Sequence, residues 1–217
     1  MLILHQPGRF GYLNLNDCAK EFRTKHGLNK PNPLNDPQTC ASMLDEFHQR
    51  LGLRWSYGGW LEDRRDLWAG SYLEKEQNFV HLGIDFNVPA GSLVEVDHLV
   101  KVIRIDTERP PQIGGWGTRV TVELVEQRGI YLIYAHLEAR PLCTHGEILK
   151  PGTRFGAVGH APENGNWYPH LHFQVIDKNC PQAFQFDWST YDGYGHASEI
   201  KNLAKVHPDP LQFWKFQ

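Results

Sequence analysis

Between residues 79 and 176 the chain is a succession of short β-prone segments separated by Gly and Pro turns, with no stretch of helical period among them. Segments 93–96 and 99–105 read as strands. A turn at Gly114-Gly115-Trp116-Gly117 precedes 118–124, which alternates strictly. Gln127-Arg128-Gly129 turns the chain into 130–136, and Lys150-Pro151-Gly152 precedes 154–159. Strands at this spacing predict a mainly β domain with an antiparallel sheet or sandwich core. Helical patterning is then expected in a small N-terminal segment.

The N-terminal part, 1–54, reads as partly helical and packed on that core. Asn16 and Asp17 are cap candidates for a short amphipathic segment that Gly27 can stop. The stretch from Lys30 to Pro37 is turn-rich, with three prolines, and excludes regular helix or central strand. Cys40, Leu44, Phe47 and Leu51 then fall on one helical face ended by Gly52. Residues 55–178 form the β domain with its lead-in. Residues 179–217 form an aromatic cover that docks by Trp and Phe.

A net charge of −3 gives no basic field for nucleic acid. No apolar run approaches the roughly 20 residues that span a bilayer. The start, with an early Pro7-Gly8 and no basic region, does not read as a signal peptide. This favours a cytoplasmic protein, or a periplasmic or secreted one if a leader has been removed. Cys18, Cys40, Cys143 and Cys180 show no Cys-x-x-Cys spacing and read as free thiols, with two disulfides open if the protein is exported.

Histidines are abundant, 12 in all, and their positions carry the chemistry. In Tyr168-Pro169-His170-Leu171-His172-Phe173-Gln174-Val175 two of them lie two residues apart in a β-prone run. Side chains at i and i+2 of a strand share a face, which suits metal binding or a ligand beside a proton carrier, and equally two half-buried sheet histidines. Upstream, His81-Leu82-Gly83-Ile84-Asp85 places an imidazole and a carboxylate at equal parity. With His172 these make two histidines and one aspartate, the donor count of a catalytic zinc site that keeps a position for water. His136 and His170 are then left for proton work or oxyanion stabilisation. No His-Glu-x-x-His helix supplies a glutamate base.

His-x-Gly-x-Asp, then Tyr134-Ala135-His136, then Pro-His-Leu-His-Phe, in that order, resembles the M23 (LytM/lysostaphin-type) metallopeptidase family over about residues 80–176. The resemblance implies a LytM-like fold of the duplicated hybrid motif type, and one Zn2+ per chain held by His81, Asp85 and His172. It also implies His136 and His170 as catalytic histidines and a peptide or peptidoglycan-fragment substrate. A narrower likeness, through Glu62-Asp63-Arg64, the Pro162-Glu163-Asn164-Gly165 loop and the closing Pro208-Asp209-Pro210, is to a subgroup fused to class III aminotransferase modules. The chain departs from the family at residues 162–168, at Gln174 where Glu is usual, and at Glu138.

The function implied is zinc-dependent hydrolysis of a peptide bond. The alternative is a non-catalytic LytM-like binding module, against which all five polar positions are kept. Tyr57 and Arg64, with Trp60 and Arg65, are candidates for a substrate groove or for a loop over the sheet edge. Asn164, Trp167 and Tyr168 are candidate substrate contacts in the divergent loop, and His160 lies near it. The other histidines read as surface or core residues, and Asp97 and Asp106 as solvated strand-end charges. Oligomeric state has no signal in the sequence.

Overall fold

A computed structural model describes residues 8–28, 32–109, 113–185 and 192–214. The strands are β1 (Phe10–Tyr12), β2 (Trp55–Gly58), β3 (Val80–His81), β4 (Ile84–Asn87), β5 (Leu93–Glu95) and β6 (Val100–Thr107). They continue with β7 (Thr118–Leu124), β8 (Ile130–Leu137), β9 (Ile148–Leu149), β10 (Arg154–Ala157), β11 (Leu171–Asp177) and β12 (Tyr194–Gly195). The helices are α1 (Leu15–Lys25), α2 (Pro37–Leu51), α3 (Arg65–Trp68) and α4 (Ile200–Val206).

The main sheet has eight strands in the order β1-β2-β4-β11-β8-β7-β6-β9, and β5–β10 and β3–β12 form two-stranded sheets. The protein is thus mainly β. Pairing is antiparallel except at one edge, where β1 runs parallel to β2. That edge departs from the expected antiparallel core. Trp55-Ser56-Tyr57-Gly58, which lacked a clear period in so short a run, is a strand inside the sheet and no surface loop.

Central strand β11 shows how the pattern divides the faces. Leu171, Phe173 and Val175 enter a core with Ile84, Phe86, Val120, Val122, Leu132 and Tyr134. His172 and Gln174, of opposite parity, point to the other face, as does Asp85 between Ile84 and Phe86. Trp214 closes the core by stacking on Phe86 at 3.7 Å between ring centroids. Residues 215–217, and the first seven residues with His5 and Pro7, lie outside the described residues, as do Lys30 and Pro31.

The helices form a second apolar cluster, in which Leu15, Cys18, Ala19 and Phe22 of α1 meet Cys40, Met43, Leu44 and Phe47 of α2. Asn14 caps α1 by accepting from the Asp17 amide, and Asp36 caps α2 by accepting from Thr39. Pro37, the last residue of the turn-rich stretch, is the first of α2, where its missing N–H costs nothing. α2 reaches the sheet through His48, whose Nε2 lies 2.8 Å from Ser56 Oγ. Cys18, Cys40 and Cys143 are buried and Cys180 is partly exposed, all four as free thiols.

Candidate metal centre

The metal-ligand candidates come from three strands. His81 ends β3, Asp85 lies in β4 and His172 in β11, with His172 directly opposite Asp85 in the register. His81 and Asp85 are not on one continuous strand, because Leu82-Gly83 breaks β3 from β4. Gly83 is required at that break. A Cβ there would lie 2.7 Å from His172 Cε1 and 2.7 Å from the Phe173 carbonyl oxygen.

His81 Nε2 is 3.0 Å from His172 Nδ1, His172 Nδ1 is 3.1 Å from Asp85 Oδ1, and His81 Nε2 is 3.4 Å from that oxygen. Tetrahedral zinc with N and O donors at about 2.0–2.1 Å separates its ligand atoms by about 3.3 Å. The triangle fits such an ion.

The hydrogen bonds of the imidazoles say the same. His81 Nδ1 donates to the Gly59 carbonyl (3.1 Å) and His172 Nε2 to Gln174 Oε1 (2.9 Å). His136 Nδ1 donates to the Asn164 carbonyl (2.8 Å) and His170 Nδ1 to the Tyr168 carbonyl (2.7 Å). The three backbone carbonyls can only accept, so His81, His136 and His170 each turn an unprotonated nitrogen toward the centre. Lone pairs and a carboxylate facing each other without a proton between them repel, and a cation resolves that repulsion.

Burial disfavours protonation of three of the rings. It lowers His81 to about 3, lowers His136 well below its usual value and lowers His170. Burial works to raise Asp85, yet His81 and Arg64 outweigh it and hold the carboxyl well below its usual range.

Each ligand is oriented by a partner near or beyond the ends of the central β region. Arg64 is fully buried and its Nη1 donates to Asp85 Oδ2, while its Nε donates to Glu62 Oε1 at 3.1 Å. Glu62 in turn accepts from the amide of Asn16 in α1 at 3.1 Å. Burial opposes the charge on Arg64, but Asp85 and Glu62 hold its pKa well above the usual value. Gly59, whose carbonyl fixes His81, has φ +115, and a Cβ there would lie 2.6 Å from His81 Nδ1. Gln174 is aimed by its amide nitrogen, 3.4 Å from the Asp192 carbonyl and 3.1 Å from His207 Nδ1.

His136 depends on a bulge. Thr118 opposes Leu137 and Val120 opposes Tyr134, so Arg119 alone faces both Ala135 and His136. The bulge puts His136 at φ +63 and gives it the face of Ala135 instead of the core face of Tyr134. A left-handed non-glycine residue costs about 1–3 kcal/mol, which the surrounding contacts must supply. The ring lies 4.5 Å from that of His170 and 6.0 Å from that of His172.

The remaining candidates divide. Tyr57 packs on the core beside Phe86, away from the cleft, and Arg64 holds Asp85. Asn164 is fully buried, its amide tying Gly159 and Trp167 together while its carbonyl holds His136. Tyr168 is buried and stacks on His170 at 4.4 Å. Trp167 alone of these lines the cleft, together with Trp68, Tyr72, Trp116, Asp192 and Tyr194. Trp60 donates to the His207 carbonyl, Arg65 pairs with Asp63, and His160 lies 3.4 Å from Glu163 outside the cleft lining. Asp97 is buried against His98 and Asp106 pairs with Arg104 and Arg119, so neither is a free strand-end charge.

His207, read from sequence as a bystander, is buried and lowered to about 4 by that burial. An acid-linked stability follows. The unfolded pKa of histidine is about 6.5, so below it the unfolded chain takes up protons that folded His81 and His207 refuse. Chelator-treated protein is expected to lose up to about 1.4 kcal/mol per pH unit for each such histidine as pH falls from 6.5 toward 4. Thermal melts between pH 7.5 and 5 check this, and a flat melting temperature would contradict it.

The sheet and its cluster define a class, a mainly β protein in which, among the described residues, one group of three donors could hold a metal ion, with two further histidines beside it. Residues 79–184 match the family model of peptidase family M23. Among solved structures, a zinc-containing peptidase from Vibrio cholerae is 27% identical, covering 46% of this chain and 28% of that one, at TM-score 0.37. The catalytic domain of lysostaphin from Staphylococcus simulans is 19% identical, covering 62% and 79%, at TM-score 0.43. The catalytic domain of the M23 protein EnpA from Enterococcus faecalis is 22% identical, covering 45% and 68%, at TM-score 0.38. No curated protein sequence matches the chain.

Proposed function

We propose that the protein is a zinc-dependent peptidase or amidase that hydrolyses a peptide bond in a small peptide or peptidoglycan-type substrate. One observation carries this reading. Four imidazoles converge with one carboxylate, two more side chains than the three-donor cluster needs. A Zn2+ ion held by His81, Asp85 and His172 would polarise the scissile carbonyl and acidify a water molecule toward a pKa of about 7.

The chain's own residues then move the proton. His170 Nε2, 3.6 Å from Asp85 Oδ1, faces the centre and accepts the proton of the attacking water. His136 Nε2 opens on the same cleft and, in the tautomer fixed by Asn164, is an acceptor before it is a donor. Once protonated, either ring carries an N–H that stabilises the oxyanion. Burial makes both poor proton holders, so the proton passes readily to the leaving amine. Trp116, Trp167 and Tyr194 wall the cleft and limit water around the reacting bond.

Incubating the zinc-loaded protein with D-amino-acid stem peptides and with pentaglycine tests the reading. Cleavage of at least one, abolished by chelation and restored by zinc, is expected. No cleavage of either by protein shown to hold zinc would count against the enzyme and favour the binding-module alternative.

A further inference from the structure

The cleft over the metal cluster has a chemical character that metal binding does not use. Its outer wall is built from the rings of Trp68, Tyr72, Trp116 and Trp167. Among the described residues lining it, Asp192 alone is an acid or base other than histidine and tyrosine. Asp192 Oδ1 accepts from the Gly193 amide at 2.7 Å, and among the described residues no Lys or Arg forms an ion pair with it. Arg119 lies over the Trp116 ring and is paired to Asp106 at 2.9 Å.

Ring faces are electron-rich and attract ammonium groups, and a carboxylate at their edge adds a full charge. A neutral ligand would cover Asp192 and leave its charge without a counterion. A carboxylate ligand there would be repelled. The metal ion would repel a cation placed at the bottom of the cleft, so the ammonium belongs at the Asp192 side. The separation is short. A Cβ on the neighbouring Gly193 would lie 3.4 Å from His172 Cε1 and 3.3 Å from the Trp116 ring.

Resting on the hydrolase reading of this site, we propose that the cleft selects substrates carrying a primary ammonium group within about one residue of the scissile bond, held by Asp192 beside the aromatic residues that line the same cleft. The ammonium can be a peptide's amino terminus or a side-chain amine.

Calorimetric binding to the zinc-loaded protein separates these sources. The probes are tetraglycine, N-acetyl-tetraglycine and N-acetyl-Gly-Lys-Gly-Gly. At least one ammonium-bearing probe is expected to bind about tenfold or more tightly than N-acetyl-tetraglycine, and which one does so names the source. In Asp192→Asn, which keeps the oxygen that accepts from Gly193, the preference is expected to fall below about threefold at unchanged zinc content. Equal binding of all three probes, no binding of any, or an Asp192→Asn variant that keeps the preference would overturn the proposal. The last result would mean that an amine coordinates the metal directly. Because the readout is binding, a failure to cleave peptides would count against the hydrolase reading and leave the ammonium preference standing or falling by itself.

Discussion

Replacing Arg64 with Met is expected to destabilise the metal-free protein by about 3–5 kcal/mol, the cost of leaving one member of a buried ion network unpaired. Arg64 is fully buried between Asp85 and Glu62, and no water-exposed route lets either carboxylate recover its hydration. In a chain of this size each kcal/mol lowers the melting temperature by about 2–4 °C, so a drop near 10 °C is expected. Arg64→Lys keeps the charge but loses the planar fork that serves both carboxylates, and is expected to recover only part of the loss. Thermal melts of the chelator-treated variants check both. An Arg64→Met protein that melts with the wild type would remove the flanking segment from the account of the site.

His136→Ala and His170→Ala are expected to keep close to one zinc per chain and to lose turnover by about 10²–10⁴-fold each, the usual contribution of a positioned general acid or base. Both rings are anchored by a carbonyl and neither completes the metal triangle. His81→Ala, by contrast, is expected to lose metal and turnover together. Zinc analysis beside initial rates on whichever peptide is cleaved distinguishes the two patterns. Turnover within threefold of wild type in both His136→Ala and His170→Ala would contradict the roles given to them.

Much of this centre was legible in the chain. The parity of Asp85 in β4 and of His172 in β11 places both side chains on the face opposite Phe86, Leu171 and Phe173, whereas His81 ends β3 before the Leu82-Gly83 break and His170 precedes β11, so the alternation of one strand does not place them. The strictly alternating 118–124 segment is β7 residue for residue. His136 was found by its motif alone. By alternation it belongs on the core face with Tyr134, and only the bulge opposite Arg119 turns it to the cleft.

What sequence could not show was the set of long-range partners. Local pattern leaves Arg64 open between a substrate groove and a loop over the sheet edge. Its burial depends on Asp85, 21 positions away, and on Glu62, itself tied to α1. His207 meets Gln174 from 33 positions away, with no local pattern to mark it. The divergent 162–168 loop was read as a groove wall. It contributes Trp167 to the cleft, while Asn164 and Tyr168 orient the two free histidines through their carbonyls. A β strand of four residues, β2, is too short for periodicity to separate it from a loop.

The central claim is that His81, Asp85 and His172 form one zinc site. Calorimetric titration of chelator-treated protein with zinc, for the wild type and for Asp85→Ala, tests it most directly. One zinc per chain is expected in the wild type and no comparable binding in the variant. A wild type that takes up no zinc, or an Asp85→Ala protein that binds it equally well, would contradict the claim.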